Sequence, residues 1–318
     1  MQWLDPSNPR GRNKSHPCTN TNHERESRMP PLVYIIVLNY NRRDDTLECL
    51  ESLFRIDYPN YIVLVVDNAS SDGTAEAVRK AYPDAEVLEN EKNLMYAGGN
   101  NEGIKLALAK GAEWVLLLNN DTVVDKRLLP EMLKAADKRP DAGVIGPMIY
   151  YYSSKGVAAE SGQQPEAGLP AIWYAGGIVK LWMGLTAHRG LREEDTGRYG
   201  RTEETDYVTG CAMLISRACL EKVGLLDTSY GMYAEDADFS LRARRAGFGL
   251  VFAPGGKVWH KISMSTGGEF SLLKTRLKIK SNLRLFVRFA KPWHWLTMPV
   301  FVLGRGINFV ARRYVMRH

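Results

Sequence analysis

The chain has 318 residues, 45% hydrophobic and 25% charged, with a formal net charge of +6. It is long for one domain, short for two full ones, and of ordinary soluble globular composition, so a sizeable core is available. Four cysteines, Cys18, Cys49, Cys211 and Cys219, form no C-x-x-C pair. That spacing argues against a zinc site or a disulfide framework and suits a reducing, cytoplasmic setting.

Residues 1–31 are polar and lack an apolar signal-peptide core, so they are expected to be a disordered leader. Val33–Leu38 is an apolar, β-branched run that predicts a buried parallel strand. A helix over Asp44–Arg55 follows, with Leu47, Leu50, Leu53 and Phe54 at helical spacing. Tyr61–Val66 predicts a second strand ended by Asp67, followed by the turn cluster Asn68 to Gly73. A helix over Thr74–Ala81 and a strand over Ala85–Leu88 come next. Asn90–Gly99 reads as a loop whose Gly98-Gly99 opens a helix over Asn100–Lys110. Trp114–Leu118 predicts a fourth strand, ended by Asn119-Asn120-Asp121. A helix over Lys126–Lys138 and a short strand at Val144-Ile145 complete the first half.

This alternation predicts an α/β fold with a mostly parallel, Rossmann-like sheet flanked by helices, whose ligands bind at the carboxyl ends of strands. In the second half, residues 153–170 and 188–206 read as mobile loops. Strands are expected over Trp173–Lys180, Tyr207–Ile215, Leu250–Ala253 and Lys257–His260, and helices over Arg217–Val223 and from Glu235 to about Ala246. From Ser271 onward the chain reads as helical.

Asp67 and Asp121 end strands in one expected cleft. Two carboxylates repel a polyphosphate unless a divalent cation bridges them to its oxygens. A lone strand-terminal Asp is more often a helix cap, but three polar residues directly after Trp-Val-Leu-Leu-Leu exceed what a cap requires. Tyr40 and Asp67 could stack on and hydrogen-bond a nucleobase; alone they read equally as a surface ring and a turn residue. Glu235, Asp236 and Asp238 crowd the start of one helix. Complementing the helix dipole is the plain account, and a general base for an acceptor hydroxyl is the functional one. His260 ends a strand and is of interest only if that end faces Asp121, where imidazole and carboxylate would suit Mn2+ or Mg2+.

In this order the motifs resemble those of the family 2 inverting glycosyltransferases, which have the GT-A fold. They are Val-Leu-Asn-Tyr-Asn (37–41), Val-Asp-Asn-Ala-Ser-Ser-Asp-Gly-Thr (66–74), Asn-Glu-Lys-Asn-Leu-Met-Tyr-Ala-Gly-Gly-Asn-Asn (90–101), Leu-Leu-Asn-Asn-Asp (117–121), Glu-Asp-Ala-Asp-Phe-Ser-Leu-Arg (235–242) and Trp-His (259–260). The match covers about residues 32–270 and is most similar to rhamnosyltransferase-type members. The resemblance implies a catalytic domain over 32–270, with a nucleotide-sugar half at 32–150 and an acceptor half at 151–270. It implies that Asn39, Tyr40, Asp67, Asn93, Gly99, Asn100, Asn119 and Asn120 serve donor binding. Asp121 and His260 would hold Mn2+ or Mg2+, and Asp236 would be the base, with Glu235 its rival. The implied donor is a dTDP- or UDP-sugar, and the implied acceptor a glycan or lipid-linked glycan. Asn119 replaces the first Asp of the family's Asp-x-Asp, and Met95 stands where Gly is usual.

From Phe270 to the end there are eleven Lys or Arg and no acid, which leaves the remainder with a net charge of −5. Residues 271–318 are therefore expected to form a basic amphipathic helical tail. Its apolar run over 292–304 is too short to span a bilayer. The tail is expected either to touch the cytosolic face of a membrane or to pack on the catalytic domain; no recognised motif points to nucleic acid. A sugar-phosphate nucleotidyltransferase would need a Gly-rich loop after the first strand, and a Rossmann oxidoreductase a G-x-G-x-x-G; both are missing. A nucleotide-sugar-binding scaffold without catalysis is the non-enzyme alternative, which Asn119 leaves open.

Overall fold

The computed structural model describes residues 29–152, 169–261 and 272–303; the leader over 1–31 and the loop over 153–170 fall almost wholly outside them. The first half alternates as the periodicity predicts: β1 (Val33–Asn39), α1 (Arg43–Leu53), β2 (Tyr61–Asp67), α2 (Thr74–Ala81), β3 (Glu86–Glu89), α3 (Met95–Ala109), β4 (Trp114–Asn119), β5 (Thr122–Val124) and α4 (Leu128–Asp137). β6 (Ala142–Tyr151) then leads to β7 (Ile172–Tyr174), β8 (Gly177–Lys180), β9 (Leu185–His188), β10 (Glu203–Glu204) and β11 (Ala212–Ser216). The remainder comprises α5 (Arg217–Val223), α6 (Glu235–Arg245), β12 (Gly249–His260) and α7 (Leu272–Phe289), with a further helix over 294–303.

The main sheet runs β10-β12-β6-β11-β4-β1-β2-β3, with β5 added beside β12 and β7 beside β6. β1 pairs in parallel with both β2 and β4, so the chain reverses its direction of travel across the sheet between them. That switch point opens a crevice at the carboxyl ends of β1 and β4. β11 enters antiparallel between β4 and β6. Both faces of β1 are buried because its side chains alternate: Val33, Ile35 and Val37 join one apolar cluster with α1 and α4, while Tyr34 and Ile36 join another with α3, α5 and α6.

Several expectations give way to tertiary contacts. α3 begins at Met95, so Gly98 and Gly99 lie inside the helix instead of opening it. A Cβ on Gly99 would lie 2.4 Å from Leu38 Cδ1, and one on Gly103 would lie 2.8 Å from Ile36 Cγ2. The glycines let α3 press onto β1. The short strand expected at Val144-Ile145 extends to ten residues. Its partner on one side changes from β11 at Val144-Ile145 to β7 at Ile149-Tyr150, and Pro147, which has no N–H to donate, sits in the gap. The two strands expected at 250–253 and 257–260 are one strand, β12, with an irregularity at Pro254-Gly255-Gly256. The strand expected over Trp173–Lys180 divides into β7 and β8, and that over Tyr207–Ile215 shortens to β11. Residues 188–206, expected as mobile loops, are tied down by β10 and by bonds such as Tyr199 Oη to Glu193 at 2.9 Å.

Candidate active site

The carboxyl ends of β1, β2 and β4 bring Asn39, Asp67 and Asn119 side by side, because Asn39 pairs with Asp67 and Leu38 with Asn119. Asn39 is fully buried and spent on organisation. Its amide donates to Asp67 Oδ1 at 3.0 Å and to Ser70 Oγ at 2.9 Å, and its carbonyl accepts from Thr46 Oγ1 and Asn120 Nδ2. Ser70 Oγ also donates to Asp67 Oδ1. Both contacts fall on one carboxylate oxygen, which leaves Oδ2 of Asp67 without a partner among the described residues. Tyr40, one residue on, is half exposed beside them.

Asn68, within the 66–74 motif, organises the neighbouring loop. Buried, it donates to Asn93 Oδ1 at 2.9 Å and accepts from the Leu94 N–H at 2.9 Å and from Asn90 Nδ2 at 3.1 Å. Asn93 Oδ1 in turn accepts from the Met95 N–H. Met95 has φ +60°, a left-handed conformation that disfavours a side chain by roughly 1–2 kcal/mol and that glycine would adopt without this cost. Gly99 and Asn100 are buried in α3; the Asn100 amide donates to the Tyr96 carbonyl at 3.0 Å. These two support the loop from within the helix.

Asp121 and His260, far apart in sequence, meet because β5 pairs antiparallel with β12 and sets His260 opposite Thr122. Asp121 Oδ1 lies 3.2 Å from His260 Nε2, and both residues are buried. That separation is near the ~3 Å expected between neighbouring ligands of an octahedral cation at ~2.1 Å. Burial opposes charge on His260, but Cys211 and the Asp121 carboxylate beside it push the imidazole pKa up, to about 10. Among the described residues, buried His260 Nδ1 has no hydrogen-bond partner. A carboxylate and an imidazole side by side fit a divalent cation of borderline hardness. Among the described residues no cluster of three or more His, Cys, Asp or Glu accompanies them. Lys261, which sequence reading passed over, clamps this strand end to α1 through Asp45 at 2.8 Å and Glu48 at 2.5 Å.

The three acids at the start of α6 have separate environments. Asp238 is wholly buried and structural, bound by Arg242 at 2.7 Å, Arg288 at 2.8 Å and Tyr230 Oη at 3.0 Å. Asp236 accepts from the Gly210 N–H at 2.9 Å and the Ala237 N–H at 2.8 Å. Glu235 is buried, and its Oε2 has no hydrogen-bond partner among the described residues. Burial, then the neighbouring Asp236, push the Glu235 pKa up to about 8. Burial also raises Asp236, against the pull of its N–H donors. Of the two, Glu235 is the member that keeps its proton, because the Gly210 and Ala237 N–H groups stabilise the anion of Asp236. Tyr233 and Ala234, both at positive φ, form the turn that launches the pair.

One short segment joins the two groups of residues. The Asn119 N–H donates to the Cys211 carbonyl at 3.0 Å, and the preceding residue, Gly210, donates to Asp236. The Tyr96 hydroxyl caps the same segment by donating to the Gly210 carbonyl at 2.6 Å. A Cβ on Gly210 would lie 2.5 Å from that hydroxyl, so the bond requires glycine.

The profile described as Glycosyltransferase like family 2 matches residues 30–278. The chain belongs to glycosyltransferase family 2. It is 28% identical over 252 residues, 76% of its own length and 80% of the relative's, to the N-acetylglucosaminyl-diphospho-decaprenol L-rhamnosyltransferase of Mycobacterium tuberculosis. It is 27% identical over 212 residues to a low-salt glycan biosynthesis hexosyltransferase of Haloferax volcanii, covering 66% of this chain and 61% of that one. Among solved structures, GalNAc-T7 with UDP, GalNAc and Mn2+ aligns at TM-score 0.60 and 14% identity, covering 83% of this chain and 49% of that one. The present chain thus spans about half of that structure. The mannosyltransferase PcManGT of Pyrobaculum calidifontis, with GDP-Man and Mn2+, aligns at TM-score 0.55 and 18% identity, covering 86% of this chain and 68% of that one.

As a family 2 glycosyltransferase with the GT-A fold, the chain is a transferase that takes sugar from a nucleotide-sugar donor. Asn39, Asp67, Asn119, Asn120 and Asp121 gather at the switch point; Asp236 connects to them through Gly210 and Cys211. The bracing roles of Thr46, Asn68, Ser70, Tyr96 and Lys261 were not legible in the sequence, because each holds another side chain or backbone group that only the fold brings near.

Proposed function

We propose that the chain is an inverting glycosyltransferase in which Asp236 is the general base. The observation that carries this reading is the Asp236 to Gly210 bond, one residue from the Cys211 carbonyl that fixes the donor-side strand end at Asn119. Asp236 takes the proton of an acceptor hydroxyl. The acceptor oxygen bonds to the anomeric carbon as the carbon–oxygen bond to the nucleoside diphosphate breaks, and the electron pair leaves with the diphosphate. Attack from the opposite side inverts the anomeric configuration. Tyr40 stacks on the base and Oδ2 of Asp67 receives its N–H. Asp121 and His260 would hold Mn2+ or Mg2+, which when bound neutralises charge on the departing diphosphate.

For the donor, dTDP-rhamnose is the first reading, supported by the name of the mycobacterial relative, and a UDP-hexose the second. For the acceptor, a lipid-linked glycan is supported by the same name. The protein then works at the cytoplasmic side of a membrane, with peripheral contact through residues 271–318. Thermal-shift screening against nucleotide sugars, with and without Mn2+, should single out dTDP-rhamnose. Asp236→Asn should lower transfer by about 10²–10⁴-fold while leaving donor affinity unchanged. Asp121→Ala should abolish the Mn2+-dependent shift. Unchanged turnover in both variants would remove the mechanism.

A further inference from the structure

The last two described helices have inner and outer faces of different character. On its inner face α7 buries Ser281, Leu285 and Phe289; Ser281 Oγ donates to the Tyr230 and Met232 carbonyls, and Leu285 and Phe289 pack with Tyr207, Tyr230 and Ala237. Two residues along a helix is a rotation of about 200°, so Ile279, Leu283 and Val287 point away from the protein, each more than half exposed. The helix over 294–303 repeats the arrangement. Trp295 meets the Phe286 ring edge-on at 4.8 Å, and Thr297 Oγ1 donates to the Trp182 carbonyl at 2.8 Å. Leu296, Val300 and Leu303 form an outward stripe, each about two-thirds exposed or more.

Packing on the catalytic domain accounts for the inner faces only. The outer faces place six aliphatic side chains in water, an arrangement that marks a contact surface. The charges around them are of one sign: Arg276, Lys278, Lys280, Arg284 and Lys291 are exposed, and no acid occurs from Phe270 to the end of the chain. Trp293, half exposed, sits where the two helices join. No helix among the described residues is long and apolar enough to cross a membrane. Aliphatic stripes, an interfacial tryptophan and flanking cations suit the boundary between headgroups and acyl chains. An anionic surface adds attraction for each nearby cation.

We infer that the outer faces of α7 and of the helix over 294–303 seat the enzyme in the headgroup layer of an anionic bilayer. The surface lies one helix from the candidate base. Ser281 binds the Tyr230 and Met232 carbonyls immediately before the turn that launches Glu235 and Asp236. Under the reading of a lipid-linked acceptor, this docking brings Asp236 to the acceptor's own surface.

Flotation of the full chain with vesicles of phosphatidylcholine, alone or mixed with phosphatidylglycerol, tests it without any turnover, so a failed sugar assay would leave the result standing. The wild type should float with the mixed vesicles, less so in high salt, and should stay at the bottom with phosphatidylcholine alone. The triple variant Ile279→Ser, Leu283→Ser, Val287→Ser should bind at least about tenfold more weakly with unchanged Tm and unchanged donor hydrolysis in solution. Leu296→Ser with Val300→Ser should act in the same direction. Equal flotation of wild type and triple variant, or no flotation with either vesicle, would overturn the inference. So would a wild-type dimer that the triple variant dissolves, because a second copy of the chain would then be the occupant.

Discussion

Glu235 and Asp236 are adjacent in sequence yet set apart by what each can bond. Asp236 has two N–H donors, while Glu235 has an orphaned oxygen and a folded-state pKa of about 8 against an ordinary 4.5. Between those pH values the folded protein holds a proton that the unfolded chain has lost. Stability from this group is therefore complete below about pH 4.5 and is lost as pH rises through 8. Glu235→Gln should flatten that decline, giving a higher Tm than wild type at pH 9 and little difference at pH 4; parallel curves would show that Glu235 is not buried as described. Asn119→Asp should tighten Mn2+ binding in titration calorimetry with nucleotide present, by adding a carboxylate beside Asp121. In wild type that affinity should rise with pH, because the cation must displace the proton that Asp121 holds on His260.

At the scale of elements, the periodic strands and helices of the first half were legible because β-branched runs and helical Leu spacing do not depend on distant partners. α2 and α5 fall where Thr74–Ala81 and Arg217–Val223 predict them. The misread elements share a cause. Gly98 and Gly99 look like a loop locally but lie in a helix pressed onto β1, where Leu38 fills the space of a Cβ on Gly99, and Ile36 and Val66 that of a Cβ on Gly103. β6 outgrew its two-residue prediction because β7, β11 and β12 supply partners along its length. Gly103→Ala tests the first case. Its Cβ meets Ile36 and Val66, stiff β-branched side chains on buried strands, and should destabilise the fold by about 1–3 kcal/mol in urea titration. A neutral result would mean that α3 can lift from the sheet.

At the scale of the whole molecule, the expected boundary near residue 270 does not separate the tail from the domain in packing. Arg288 reaches from α7 to Asp227 and Asp238, each at 2.8 Å, and Leu285 is buried with Tyr207 and Tyr230. Leu285→Ala should lower stability by about 2–5 kcal/mol in a single cooperative transition; a separate early transition would show that the tail unfolds independently. The sequence by itself determined the order of elements and the chemistry at strand ends, because strand periodicity and polar residues after apolar runs are local facts. Only the tertiary structure decided which groups each acid meets. Asp121 meets His260 through the β5–β12 pairing, Asp238 is consumed by arginines from two helices, and Asp236 is aimed by the Gly210 peptide. It also divided the tail between a face that packs and a face that stays open, since helical spacing repeats on both sides and only the partner distinguishes them.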